Sequence, residues 1–338
     1  MPFSNNNVLK GARHELAMRL PPGWEVEVLP SKGPADAKLR FTSSEGRTRS
    51  IPVVVESRID PRAATQIPRD RAVIVVAPYL TDAVRTVLTQ RDANYADTTG
   101  NMRVVIDEPG LFICTTGART NPWPDKRKLS LRGVKAGRVV SALVTPSPPR
   151  GVREIAEIAG TDPGYVSRLL ALLDREALVD RTSRGRVDRV DWRGLLARWA
   201  QDAPLSNRAN STTWLAPRGL DALQDRLIGA AFRYALTGSA VASRIAPVAP
   251  ARVLSMYVDD PESAATSLGL RPADSGANVI LLQPQDDSVY ESTMALGELK
   301  HATLPILVVD LLSGPGRSPA EAEALMDWME AHPESWHE

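Results

Sequence analysis

Residues 152–173, VREIAEIAGTDPGYVSRLLALL, place small, turn-forming and apolar residues at a spacing that few folds require. Where two short helices cross closely, the first needs a small side chain, and Ala156 supplies it. The link needs a residue that tolerates left-handed backbone, and Gly160 stands there. The second helix needs a buried apolar face, which Val166 and Leu169 provide at helical spacing. This pattern predicts a helix-turn-helix, a motif that lays its second helix in the major groove of DNA. Asp162 or Thr161 is the expected N-cap of that second helix, with Pro163 in its first turn. Thr161, Gly164, Tyr165, Ser167 and Arg168 then fall near its exposed N-terminal face. Tyr165 and Ser167 suit phosphate or base edges, and Arg168 suits a guanine.

The flanking sequence extends the pattern. EALVDRTSRGRVDRVDW reads as strand, tight turn and strand, with the turn at 183–185 flanked by Arg181, Arg184, Arg186 and Arg189. A helix expected over 135–145 precedes the motif, and an amphipathic helix over 192–201, carrying Leu195, Leu196 and Trp199, follows it. The set makes a winged helix whose basic wing suits a phosphate backbone or the minor groove.

Charge agrees with this placement. The net charge of +1 divides into +2 over residues 1–125, +8 over 126–201 and −9 over 202–338. The middle segment therefore has the character of a phosphate-binding surface, whereas DNA would repel the acidic remainder. A winged helix used for protein contacts, its arginines merely solvated, is the alternative. Motif and charge are independent signals, and together they favour DNA.

At 338 residues the chain exceeds one typical domain. The expected class is multidomain α/β (α+β): a nuclease-like α/β domain over 1–125, a winged helix-turn-helix over 126–203, and a nucleotidyltransferase-like α/β domain over 204–338. In the first domain, a polar and frayed start over 1–8 gives way to a helix over 8–20. WEVEVLP, AKLRFTS, 50–57 and 71–77 read as strands, and 81–90 as a helix capped by Thr81. Residues 94–116 read as strand, turn at 108–110, and strand. Linkers are expected at 121–133 and 204–211, with a turn at 146–150. Beyond them come a helix over 220–236, strands at 253–258, 279–283 and 304–312, and a last helix over 319–331 capped by Ser318, with Glu321 and Glu323 near its start. The single cysteine, Cys114, excludes an internal disulfide and a cysteine-based zinc site, and is expected as a buried strand residue. No apolar run approaches the roughly 20 residues that span a bilayer, and the start lacks a signal peptide's apolar core. A cytoplasmic, nucleoid-associated protein is expected.

Two stretches invite catalytic readings. In IPVVVESR, Glu56 and Arg58 stand where nuclease cores place a carboxylate and a lysine, with Asp60 and Asp97 the nearest further carboxylates. Arginine is a poor replacement for a catalytic lysine, because it does not release its proton near neutral pH. Residues 97–101 read rather as a turn. LTGSAVASRIAP at 236–247 is similar to the Gly-Ser turn of nucleotidyltransferases, which holds a triphosphate beside magnesium-binding carboxylates on the next strand. That strand carries Ser255 and Tyr257 instead, and Asp259 and Asp260 follow as neighbours that point apart if extended. Both cores read as degenerate. GPGR at 314–317 reads as a turn, and His14, His301, His332 and His337 lack metal-ligand spacing. No catalytic residue, metal or cofactor is expected.

The helix-turn-helix, the basic wing, and the C-terminal stretches TGSAVASRIAP and LVVDLLSGPGRSPAEAEALM together resemble bacterial winged-helix regulators of the AbiEi-like antitoxin type. YADTTGNMRVVIDEPGLFI resembles a nuclease-like N-terminal extension of some relatives. The resemblance implies a repressor that binds double-stranded DNA and controls its own toxin operon. It also implies an added interaction or sensing domain, and a homodimer to suit a palindromic operator. Two rivals stand beside this reading: a nuclease or nucleotidyltransferase that finds DNA through the winged helix, and a module that neutralises a toxin partner through its acidic third domain.

Overall fold

The computed structural model describes residues 4–31, 33–69, 71–119, 121–123, 129–144 and 151–336. The basic residues at 126–128, the turn expected at 146–150, and His337 lie outside them. The chain forms two compact units, 1–128 with 173–177, and 129–172 with 178–338, and the whole is mixed α/β.

In the first unit α1 (Asn5–Ala17) begins well before the expected 8–20 helix, because the Ser4 hydroxyl accepts from the Asn7 N–H and caps it. Then come β1 (Glu25–Pro30), β2 (Ala37–Thr42), β3 (Thr48–Val55), α2 (Pro61–Ala64), β4 (Ile74–Ala77), α3 (Asp82–Gln90), β5 (Asn94–Asp97), β6 (Met102–Ile106) and β7 (Leu111–Thr115). The seven strands lie in sequence order in one sheet. β3, β4 and β5 run parallel, and the neighbours on either side are antiparallel hairpins.

The central strand shows why. All four residues of β4 are buried, as a strand covered on both faces requires. Ile74 and Val76 join a core with Val8, Leu9, Ala12 and Leu16 of α1, while Val75 and Ala77 join another with Val84 and Leu88 of α3. Thr81 caps α3, accepting from the Val84 N–H. Cys114 lies on a strand as expected, but it is exposed. In β7 Leu111 and Ile113 point inward, so alternation turns Phe112 and Cys114 outward.

In the second unit come α4 (Val134–Val144), α5 (Val152–Ile158), α6 (Pro163–Arg175) as far as Leu172, the hairpin β8 (Val179–Arg181) and β9 (Val187–Val190), and α7 (Trp192–Asp202). The linker expected at 204–211 is instead ordered structure. α8 (Leu205–Arg208) runs directly into β10 (Ala209–Leu215), whose residues pair with a neighbouring strand from Ala209 onward.

The helix expected over 220–236 divides into α9 (Gly219–Ile228) and β11 (Tyr234–Thr237). After them come α10 (Ser239–Ile245), β12 (Leu254–Val258), α11 (Pro261–Leu268), β13 (Arg271–Pro272), β14 (Val279–Pro284), α12 (Ser288–Glu291), β15 (Met294–Leu296) and β16 (Leu299–His301). The last elements are α13 (Leu304–Leu312) and α14 (Ser318–Ala331). The second large sheet has the order β13-β10-β14-β12-β11-β16-β15. Residues 304–312, expected as a strand, are the helix α13, buried nearly all round and packed on α7 and α14. α14 begins at Ser318 itself, so Arg317 takes the N-cap position expected for the serine.

Candidate nucleic-acid interface

The turn between α5 and α6 is built by backbone hydrogen bonds. Glu154 accepts from the Gly151 N–H at 3.2 Å and closes the start of α5. At its end Gly160 has φ +57°, the left-handed conformation that its sequence position demands. The Gly160 N–H reaches the Glu157 carbonyl at 3.2 Å, and the Thr161 N–H reaches the Ala156 carbonyl at 2.9 Å. This is a complete Schellman closure, which fixes the chain's exit from α5. Asp162 then caps α6, its Oδ1 accepting from the Tyr165 N–H at 2.7 Å. Ala156 and Ile155 are buried on α5, and Val166 and Leu169 are buried on α6.

Burial divides the five helix residues singled out from the sequence. Gly164, Ser167 and Arg168 are exposed, and Tyr165 is half-buried. Arg168 Nη1 lies 3.6 Å from where a Cβ on Gly164 would stand, so the guanidinium rests over the start of the helix. Partial burial raises the Tyr165 phenol above its ordinary pKa, against the pull of nearby Arg168. Thr161 is turned the other way: its Oγ1 is buried without a hydrogen-bond partner. Ala171, one turn beyond Arg168, is exposed on the same face. Its sequence carries no signal of this, since alanine has no charge, but a bare methyl suits contact with a thymine.

The hairpin turn closes through the Gly185 N–H to the Thr182 carbonyl at 2.8 Å and the Thr182 N–H to the Arg186 carbonyl at 2.9 Å, with Gly185 at φ +77°. Its four arginines differ. Arg184 and Arg186 are exposed. Arg181 folds back, donating from Nε and Nη2 to the Gly185 carbonyl at 3.3 and 3.2 Å. Arg189 donates from Nε to Asp180 across the hairpin at 2.9 Å. An exposed pair of that kind is worth about 0.2–1 kcal/mol, so a phosphate can replace the carboxylate at little cost.

Part of the middle segment's positive charge is answered within the unit. Arg193 on α7 donates to Glu323, Asp327 and Glu330, a stripe along α14. Arg138 on α4 donates to Glu291, and Arg198 pairs with Asp202. The acidic C-terminal part therefore braces the basic segment on helices other than α6.

The carboxylates of the catalytic readings hold structural positions. Asp97 is fully buried and accepts from the N–H groups of Leu80, Thr99 and Asn101, the Thr99 hydroxyl and the Asn101 amide, at 2.7–3.0 Å. Asp60 caps α2, accepting from the Ala63 N–H. Glu56 follows β3, half-buried, and Arg58 is exposed. In the second unit the Ser239 hydroxyl donates to Glu321, which Arg317 also holds. Tyr257 is buried and donates to Asp310, which accepts from Thr237 and Arg208 as well. Asp259 is gripped by both ends of the Arg233 guanidinium at 3.0 Å, and Asp260 caps α11. Among the described residues no three His, Cys, Asp or Glu side chains gather as a metal group, and no helix is long and apolar enough to cross a membrane.

Compared with protein families, curated proteins and solved structures, the chain matches none.

Proposed function

We propose that this chain is a sequence-specific regulator of transcription, a repressor that binds double-stranded DNA through a winged helix-turn-helix. α5 and α6 form the helix-turn-helix, and the β8–β9 hairpin is the wing. The observation that carries this reading is the exposed face of α6. It carries the small side chains of Gly164, Ser167 and Ala171 with Arg168 beside them, and the hairpin that follows in the chain exposes Arg184 and Arg186. Small side chains let the helix approach base edges closely, and the one long side chain is the type that forks onto guanine.

On this reading the first unit is a degenerate nuclease-like fold. The sheet beyond α8 is a degenerate nucleotidyltransferase-like fold, and its Ser239 and Tyr257 are held by carboxylates where a triphosphate and magnesium would need room. A homodimer on a palindromic operator, a protein partner such as a toxin, and a cytoplasmic, nucleoid-associated location belong to the same proposal. The nuclease rival is weakened because Asp97 is buried and its carboxylate is filled by five donors.

Selection from a pool of random duplexes tests it. The wild-type protein is expected to enrich one motif. Arg168→Ala should relax the preference at one base pair, at a cost of about 1–3 kcal/mol for that site. Enrichment of no motif, or of the same motif with equal stringency by the variant, overturns the assignment.

A further inference from the structure

Over residues 202–338, where the net charge is −9, a basic side chain has carboxylates in plenty to pair with. Arg208 pairs with Asp310, Arg233 with Asp259, and Arg317 with Glu321. Three arginines depart from this. Among the described residues Arg218, Arg226 and Arg271 have no carboxylate partner. All three line one cavity of about 260 Å³, between the start of α9 and the link from α11 to β13. No Asp or Glu is among its described walls.

The walls are arranged for an anion. Arg226 is the anchored member: its Nη1 donates to the Leu268 carbonyl at 2.7 Å, at the end of α11. Gly269 makes room for it, since a Cβ there would stand 2.7 Å from the same nitrogen, and the left-handed φ of +65° suits glycine. Arg218 stands at the N-cap of α9, where no side chain caps the helix, so the partial positive charge of its first turn adds to that of the arginines. Leu223 and Leu268 are buried, whereas the three arginines are exposed, so an entering molecule meets charge rather than an apolar wall. Three like charges around one cavity repel each other, and a monocarboxylate answers only one of them. A phosphate carries about −1.5 to −2 at neutral pH, and its oxygens match the guanidinium fork.

We propose that this cavity binds the phosphate group of a small molecule, either free phosphate or a phosphate monoester, with Arg218, Arg226 and Arg271 as its ligands. The cavity shares no residue with the turn at Gly238 and Ser239, and the site does not depend on the DNA-binding reading. A concave site suits a single phosphate better than the row of phosphates along a duplex.

The test uses the full chain without DNA. Melting temperature is measured in about 10 mM inorganic phosphate, glycerol 3-phosphate, ribose 5-phosphate or adenosine monophosphate, each against sodium chloride of equal ionic strength. At least one of the four is expected to raise it by about 2–4 °C. A rise with inorganic phosphate alone names free phosphate as the ligand, and a larger rise with a monoester names a phosphorylated small molecule. The double variant Arg218→Ala, Arg271→Ala leaves Arg226 and the end of α11 in place. Its affinity should fall at least about tenfold, because charge-assisted contacts are lost. Arg226→Gln should weaken binding as well; if it does not fold, the double variant decides. No rise with any of the four, or an equal rise in the double variant, overturns the site. So does a shallower salt slope for duplex binding in the double variant without any rise from a phosphate compound, since the arginines would then belong to a DNA surface. Failure of the wild type to bind DNA would strike the proposed function and leave the phosphate result standing.

Discussion

At the scale of single residues, the fold is held by a few buried polar groups whose partners are all local to one unit. Asp97 is the clearest case, because five donors converge on it and nothing of its carboxylate remains for a metal. Asp97→Ala leaves those donors unpaired and is expected to cost about 3 kcal/mol, read as a lower melting temperature of the first unit. Magnesium or manganese should leave the wild-type melting temperature unchanged; a clear rise that the variant lacks would revive the nuclease reading. His301 gives a second prediction. It is buried, with Nδ1 2.7 Å from the Ala302 carbonyl, and loss of hydration lowers its pKa. The unfolded chain therefore takes up the proton first as pH falls. Stability is greatest above the ordinary histidine value of about 6.5 and declines below it toward the lower folded value. His301→Gln should flatten the melting temperature between about pH 7.5 and 5.5; an unchanged slope assigns the effect to other groups. The turn at 97–101 was readable from its Asp, Gly and Asn, but the convergence of donors was not. Leu80 belongs to another segment, and only the fold brings it close. The exposure of Cys114 is not legible in the sequence, because Leu111, Phe112, Ile113 and Cys114 are all apolar, which hides the alternation that turns two of them outward.

At the scale of elements, the acidic stripe of α14 and Arg193 of α7 form one brace. The cluster is part-exposed, so Arg193→Ala is expected to lower stability by only about 1 kcal/mol. The loss should shrink as salt is raised, because screening already weakens the wild-type pairs. A loss independent of salt would mean that packing against Trp192 carries the effect instead. Local signals located α5, α6 and the turn between them almost to the residue: Ala156, Val166 and Leu169 are buried, and Gly160 takes the left-handed turn. The same approach failed at α13. LPILVVDLL is buried on nearly every side, so it has no polar face to reveal a helical period, and its β-branched residues imitate a core strand. It also failed at 220–236, where the helix ends at Ile228 before β11 begins. The strands β13, β15 and β16 are only two or three residues long, too short for a pattern to show.

At the scale of the whole molecule, the proposed interface unites a reading helix, a basic hairpin and a positive segment within a chain of net charge +1. On this proposal the charge asymmetry along the chain favours DNA at α6 and the hairpin, where Arg168, Arg184 and Arg186 are exposed, while Arg138 and Arg193 are answered by acidic residues of the C-terminal part. The measurement that tests this most directly is a salt titration of duplex affinity by fluorescence anisotropy. It compares the wild-type protein with the double variant Arg168→Ala, Arg184→Ala. The wild type is expected to show log affinity falling linearly with log salt, each phosphate contact contributing about 0.9 to the slope. The double variant should bind at least about tenfold more weakly at fixed salt, with a slope shallower by about 1. Equal affinity and equal slope for the two proteins would contradict the account, because DNA would then be bound elsewhere or not at all.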